Sequence, residues 1–428
     1  MVSTIMAPAL SLIATELDMN SVEAVMAMSS YMLATAFGPM LIGPLSEVYG
    51  RAPILHASNV WFLIWNLVCG FASTKGLLIA ARLLAGLGAS AIYSLAGGVL
   101  GDLWHPEQRG RSLGIYLLIP LLGAAVGPII GGFMAGRTTW RWMFWSTSAF
   151  QAVMILVSFP AFQECYAPLI LRRRAEKLRK STTDSRYYTL AEQRDVGRSA
   201  VAVVSRSLSR PLRMLVFHPI VQVAAVISGF QYGVLYIILS TFSDMWVRQY
   251  NQSVEISGLH YIAVAIGEIL GAQVGGALMD RLFKRLRARR EGEWKPEYHI
   301  PLMLPSALLS AVGLSLFGWL VQYNVHWAAV DTAVVLALSS MQISGTPLQA
   351  YIIDIYPEHA SSATAAQQFL RSLAAFALPL ASPKMYSELG YGWGNSMLAF
   401  MTLAFAVPAP LLLWYFGPSL REKARSSY

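Results

Sequence analysis

Long apolar stretches separated by short polar turns recur along the whole chain. Each is close to the 20 or so residues that a helix needs to cross the roughly 30 Å hydrocarbon core of a bilayer. The pattern predicts eleven full spans, near 23–45, 54–74, 76–100, 112–134, 141–162, 216–242, 257–279, 300–321, 328–353, 361–386 and 394–417. The start differs. Met1 to Thr15 is apolar and is stopped by Glu16 and Asp18. At about 1.5 Å per residue this stretch reaches about 22 Å, short of a full crossing. No basic residue precedes it, so it does not read as a secretory leader. The expectation is the outer half of a first span whose inner half is missing, through either a misplaced start codon or a real truncation. A hydrophilic segment, 163–215, divides the spans into two sets. The predicted organisation is a six-helix bundle over 1–162 with a partial first span, a basic linker over 163–215, a second six-helix bundle over 216–417, and a tail over 418–428.

Composition removes the soluble alternative. The chain of 428 residues is 55% hydrophobic and only 13% charged, with mean hydropathy +0.50. Soluble chains carry about 25% charged residues. The net charge of +9 raises the possibility of nucleic acid, so the positions of the basic residues decide the matter. Assigning alternate loops to one side collects 25 Lys and Arg there, twelve of them in the linker from Arg172 to Arg213. Five face the other side: Lys75, Arg137, Arg141, Arg248 and Lys384. Cytoplasmic loops are enriched in Lys and Arg, so the charge is an orientation signal that places the linker and both termini in the cytoplasm. It is not a nucleic-acid footprint. Cys69 and Cys165 are far apart, and the seven histidines are scattered, so neither a disulfide framework nor a metal or catalytic cluster is implied.

The two sets of spans repeat. Gly43-Pro-Leu-Ser-Glu47 after span 2 matches Gly276-Ala-Leu-Met-Asp280 after span 8, with Arg51 and Arg281 following. Asp102-Leu-Trp-His-Pro106-Glu107 after span 4 matches Asp354-Ile-Tyr-Pro357-Glu358 after span 10. A duplicated 6+6 plan of this kind puts substrate near the midplane, between halves that rock. In the first repeat, Gly43 would let helices approach closely and Gly50 would allow a tight reversal. Glu47 and Arg51 would pair at the rim and latch the halves, with Asp280 and Arg281 as the second copy. Span 5 carries Gly123, Gly127 and Gly131 at i, i+4 and i+8, with Pro128 and Gly132 beside them. This is a flat packing stripe with a bend built in.

These motifs resemble those of a major facilitator superfamily transporter, and more narrowly the fungal twelve-span drug:proton antiporter-1 family. Glu47 to Arg51 resembles its loop 2–3 motif. Arg82 in Arg82-Leu-Leu-Ala-Gly86-Leu-Gly88-Ala89 resembles the span 4 motif, and Gly123 to Gly132 the span 5 motif associated with antiporters. Glu164-Cys-Tyr166-Ala-Pro168, Pro296-Glu297, Tyr351 to Pro357 and Leu389 to Asn395 also match. Two departures stand out: the incomplete first span, and Ala52 where the family often has a basic residue. The resemblance implies an all-α major facilitator fold with a cavity lined mainly by spans 1, 4, 7 and 10. Span 7 offers Gln231, Tyr232 and Tyr236. Span 10 offers Gln342, Thr346, Gln349 and Tyr351. Aromatics with a few amides suit a largely apolar ligand bearing scattered polar groups.

A carboxylate deep in a span is costly and therefore functional by default. Glu268 is the one acid well inside a span, twelve residues from Asp280, or about 18 Å by helix rise. Arg371 in span 11 lies ten residues from Ser361, about 15 Å by the same rise. The two are candidate partners, either for carrying a proton or as a static pair locking two helices. Arg82 is read as a coupling or substrate residue, or else one that snorkels to the interface. Asn251-Gln-Ser253 is a glycosylation sequon in the loop opposite the basic side. No nucleotide-binding loop is present, so the energy source expected is a proton gradient and no cofactor. The function expected is proton-coupled export of a small amphipathic organic compound, such as a drug, toxin or fungal secondary metabolite. Partners would be substrate, protons and the lipid bilayer, with a monomeric chain in the plasma membrane (or a vacuolar or vesicle membrane). Proton symport or facilitated uptake, or a truncated and inactive paralogue, remain as alternatives.

Overall fold

The computed structural model describes residues 2–92, 94–95, 99, 122–124, 126–182, 188–189, 209, 211–289, 295–356 and 360–426. The side chains of Pro44, Glu47, Ala360, Ser361 and residues 422–426 also fall outside the description. The described residues are helical with short connections. A one-turn 3-10 segment, Ala7–Ala9, leads into α1 (Leu10–Glu16). Then come α2 (Ser21–Tyr49), α3 (Arg51–Gly70), α4 (Lys75–Ala89), α5 (126–137) and α6 (Arg141–Ala161). In the linker, α7 (Ala167–Thr182) is polar and basic. The second half holds α8 (Pro219–Tyr250), α9 (Val254–Leu259), α10 (Tyr261–Arg289), α11 (Met303–Gln322), α12 (Trp327–Ile355), α13 (Ala360–Ala406) and α14 (Pro408–Ser426).

Among the described residues, eight stretches are long and apolar enough to cross a membrane. One of them, Ser362–Arg421, covers the two spans expected near 361–386 and 394–417. The two remaining expected spans, 76–100 and 112–134, fall partly outside the described residues. Side chains such as Phe150, Leu156, Leu308, Val312, Phe400 and Leu412 are exposed on the outer surface. Apolar exposure on this scale needs lipid as solvent.

Local chemistry sets the ends of the helices. Asn20 and Glu23 form a reciprocal capping box at the start of α2, with the Glu23 amide donating to Asn20 Oδ1 at 2.8 Å and the Asn20 amide to Glu23 Oε2 at 2.9 Å. Ser253 caps α9 in the same way, accepting from the Ile256 amide at 3.4 Å. Arg141, at the start of α6, pairs with Glu16 at the end of α1, and this hydrogen bond holds the Glu16 carboxyl below its ordinary value. α13 consists of two limbs divided at Gly390, whose φ of +68° suits glycine. The Gly392 amide there donates to Gln322 Oε1 at 3.2 Å, which ties the bend to the end of α11.

The repeated motifs diverge in structure. In the first copy the chain breaks at Gly50, with φ +105°. In the second copy the equivalent position is Phe283, which is not free to adopt that backbone. α10 therefore runs on through Asp280 and Arg281 to Arg289, and Phe283 stacks on His299 at 4.6 Å. Asp280 and Arg281 are exposed residues within this helix and make no ion pair with another described residue.

One core runs through both halves and a second lies at the basic end of the second half, around Ile220, Met303, Tyr351 and Leu413. The halves meet at mid-height, where Thr35 Oγ1 donates to Ser372 Oγ at 3.2 Å and the Phe37 and Phe369 rings lie 5.3 Å apart. They also meet at the end away from the basic residues. There Ser243 Oγ donates to the Pro8 carbonyl at 3.2 Å.

Candidate functional site

Two glycine stripes shape the middle of the second half. Gly267, Gly271 and Gly275 of α10 press against α12: a Cβ on Gly271 would come within 2.6 Å of the Ser339 carbonyl, and one on Gly275 within 3.1 Å of Ile343 Cα. Gly229 and Gly233 of α8 do the same to α13, with Cβ positions 3.3 Å from the Leu370 carbonyl and 3.2 Å from that of Ala374. Backbones this close bring the polar faces of four helices onto one cavity of about 90 Å³. That volume holds a few waters, so a larger ligand requires the halves to part.

The cavity is lined from α8 by Ser228, Gln231, Tyr232 and Leu235, and from α10 by Glu268. α12 adds Gln342, Thr346 and Gln349, together with Met341 and Gly345. α13 adds Thr364, Gln367, Gln368 and Arg371. Among the described residues all of these belong to the second half, to spans 7, 8, 10 and 11. The glycine stripes are what bring spans 8 and 11 to the cavity beside the expected 7 and 10, and the end of span 4 falls largely outside the described residues.

Five of the seven candidate cavity residues lie on this wall: Gln231, Tyr232, Gln342, Thr346 and Gln349. Tyr236 does not. It is buried behind Tyr232, ring centroids 5.1 Å apart, towards Arg82. Tyr351 is elsewhere altogether: it is fully buried in the second core, against Gly417 and beside Glu297. Both tyrosines follow the helical repeat, but their faces point into packing. Ser228, Thr364, Gln367 and Gln368 are cavity residues that sequence reasoning missed. The available signal was their spacing: 228, 231, 232 and 235 lie on one helical face, and 367 and 368 lie one turn before Arg371.

Glu268 and Arg371 share the cavity, and each is the other's charged neighbour. They form no ion pair within 4.0 Å, so the static lock is not what the structure holds. The Arg371 guanidinium instead lies 3.9 Å from the centroid of the Tyr232 ring. Arg82 is not snorkelling either. It is fully buried, with Nη1 donating to the Val2 carbonyl at 3.0 Å, Nη2 to Ser3 at 3.4 Å and Nε to Ala27 at 3.4 Å. Its guanidinium sits 4.6 Å from the centre of the Tyr31 ring.

At the basic end, no described residue lies within 4 Å of a Cβ position on Gly43. Gly50 serves a close approach. A Cβ there would overlap the Glu164 carboxylate, which accepts from the Arg51 and Ala52 amides at 3.0 and 3.2 Å and so caps α3. Arg51 Nη1 donates to Ser46 Oγ at 2.7 Å, and its guanidinium lies 5.0 Å from the Tyr166 ring centre. The expected Glu47–Arg51 pair lies outside the described residues. At the far end, a Cβ on Gly131 would overlap the Ile5 carbonyl, and one on Gly132 would lie 3.1 Å from Gly258 Cα in α9. Pro128 belongs to the same contact, its carbonyl 3.1 Å from a Cβ position on Gly258. Gly127 is buried and Gly123 half-buried. Asn251 is exposed, in the left-handed conformation (φ +52°) that ends α8.

A model of the family described as Major Facilitator Superfamily matches residues 1–379. The chain is 56% identical over 423 residues to a protein of Aspergillus flavus named "Probable efflux pump mfs2", covering 99% of this chain and 100% of that one. It is 41% identical to "Efflux pump vrtL" of Penicillium aethiopicum, covering 99% and 83%. In fold it is similar to a solved structure of the xylose transporter XylE from E. coli, described as partially occluded and inward open. The TM-score there is 0.70 at 16% identity, over 97% of this chain and 93% of that one.

Proposed function

The chain belongs to the major facilitator superfamily, a family of transporters rather than enzymes, and we propose that it exports a small organic molecule in exchange for protons. The observation that carries this reading is the cavity in which Glu268 and Arg371 face each other without pairing. A half-buried carboxylate with no fixed partner can load a proton in one orientation of the protein and release it in the other. The cation across the cavity ties that proton to whatever else occupies the space. Export as the direction is supported by the names of the relatives from Aspergillus flavus and Penicillium aethiopicum, and by the Gly127-Pro128 stripe. The 25 to 5 distribution of basic residues supports a cytoplasmic linker and cytoplasmic termini. The setting proposed is the plasma membrane, with the chain acting as a monomer.

The test is vectorial. In proteoliposomes with an imposed proton gradient, the unaltered chain should accumulate substrate against its gradient. Glu268→Gln should abolish that accumulation while gradient-free exchange of substrate, measured at saturating substrate, persists and no longer depends on pH. Accumulation unchanged by the substitution would remove Glu268 from the coupling, and accumulation only when the proton and substrate gradients run in the same direction would make the protein a symporter.

A further inference from the structure

We infer that the ligand of this cavity is an uncharged, oxygen-rich molecule carrying hydroxyl and carbonyl groups on a planar ring; the inference rests on the transport reading above and gives its substrate a class. A wall dominated by aromatics would take a largely apolar ligand, but here five glutamine amides and four hydroxyls (Ser228, Tyr232, Thr346 and Thr364) line the space. Among the described lining residues only Leu235 and Met341 carry larger aliphatic side chains. Part of this polarity is spent on the protein, as in the Thr346 hydroxyl that donates to the Gln342 carbonyl at 2.9 Å, and part is not. Gln231 is nine-tenths buried, and its Nε2 has no hydrogen-bond partner. The side-chain amides of Gln342 and Gln349 bond to no other described residue, and neither does the carboxylate of Glu268 or the guanidinium of Arg371. The Nε2 groups of Gln367 and Gln368, by contrast, are held by Ser228 and Ser372.

Donors and acceptors without protein partners, from buried Gln231 to half-buried Gln342, Glu268 and Arg371 and exposed Gln349, are satisfied by water or by a ligand. A ligand that displaces that water without replacing its bonds leaves those groups unpaired. Sites built to bond a ligand's polar groups reject analogues that lack them by about four orders of magnitude. The free N–H groups of Arg371 and the amides call for carbonyl oxygens. The ionised Glu268 carboxylate calls for a hydroxyl. Among the described lining residues one acid faces one base, and their charges balance when Glu268 is ionised, so a ligand with a fixed charge meets a like charge on one side. The guanidinium stacked on Tyr232 gives the cavity a flat wall, which suits a planar conjugated ring.

Coupling follows from the same contacts. A ligand hydroxyl donates to ionised Glu268, and protonating that carboxylate removes a charge-assisted bond. Such a bond is worth about ten- to a hundredfold in affinity. Proton and ligand therefore compete, which is the condition for exchange.

The probe is a neutral dihydroxyanthraquinone, compared in equilibrium binding with its trimethylammonium and sulfonate derivatives and with glucose. The full chain would be reconstituted in nanodiscs, and empty nanodiscs would correct for lipid partition. The neutral quinone should bind about tenfold or more tighter than either charged derivative and than glucose. Its affinity should fall as pH falls in the unaltered chain and stay level in Glu268→Gln. Gln342→Leu and Gln349→Leu should each weaken it about tenfold, as should Arg371→Lys, which keeps the charge but loses the planar fork. Variants are scored only where gel filtration and thermal unfolding match the unaltered chain. Tighter binding of a charged derivative, equal binding of glucose, no binding of any probe, or unchanged affinity in all three cavity variants would overturn the inference. Because no gradient is applied, an importer of such molecules would still pass. An exporter of charged molecules would fail here and pass the vectorial assay.

Discussion

At the scale of single residues, buried charge was the most legible feature of the sequence. Glu268, Arg371 and Arg82 stand out because each interrupts an apolar run, and each proves to sit among helices rather than in lipid. Their surroundings were not legible. Gln367 and Gln368 look ordinary in a helix, and only the glycine-mediated approach of α8 to α13 turns them into a wall. Tyr236 and Tyr351 show the reverse: similar chemistry and spacing, spent on packing. Arg82 carries its own prediction. It satisfies the carbonyls of Val2, Ser3 and Ala27 inside the first half, and no carboxylate neutralises it among the described residues. The Ala27 carbonyl keeps donors within α2, including Ser30 Oγ, but the Val2 and Ser3 carbonyls lose their guanidinium donor, at about 1–3 kcal/mol for such a group. Arg82→Ala should therefore lower the thermal unfolding midpoint of the purified protein. Arg82→Lys should recover only part of the loss, since one ammonium cannot reproduce the fork or its stacking on Tyr31. An unchanged midpoint in both variants would mean that the carbonyls are satisfied without it.

At the scale of elements, the apolar pattern gave some helices closely: α12 occupies Trp327–Ile355 where 328–353 was expected, and α6 Arg141–Ala161 where 141–162 was expected. By contrast, α8 ends at Tyr250 and α10 at Arg289, well past the expected 242 and 279, because their last turns are polar. Junctions were harder, because a junction depends on a partner remote in sequence. Gly50 reads locally as a turn residue. What fills the space above it is Glu164, from the start of the linker, which caps α3 with two backbone amides. A carboxylate there also meets the positive end of the helix dipole. Gly50→Ala should destabilise the protein by about 1–3 kcal/mol, since it forces an L residue to φ +105° and displaces the carboxylate. Glu164→Ala should cost about 1 kcal/mol through the lost cap. Because the two changes disturb one contact, the double variant should cost less than their sum. Chemical denaturation of all three variants measures the coupling, and strict additivity would show that glycine and carboxylate act separately.

At the scale of the whole molecule, the repeat in the sequence foretold two bundles but not how they touch. The described contacts between halves lie at mid-height, through Thr35 and Ser372, and at the end away from the basic residues. There, the stripe of α5 meets α9 almost backbone to backbone. Small residues permit that seam, and a Cβ at position 132 or 258 would lie 3.0 to 3.2 Å from backbone atoms across it, tighter than ordinary contact. If the halves rock about the mid-height contact, this seam has to open once in every cycle. Gly136 of α5 lies directly against the Glu255 side chain of α9, with a Cβ position 2.6 Å from Glu255 Cγ, so cysteines at these two sites can bridge the seam. Cys165 would be replaced by Ser in the same chain, while Cys69 is fully buried and can stay. Oxidising Gly136→Cys/Glu255→Cys should stop net transport in proteoliposomes, and a reductant should restore it. Binding measured from the basic side should survive the bridge, since the described residues of the cavity wall all belong to the second half. Transport that continues at its full rate through a quantitatively formed bridge would mean that the substrate leaves by a route that never parts α5 from α9.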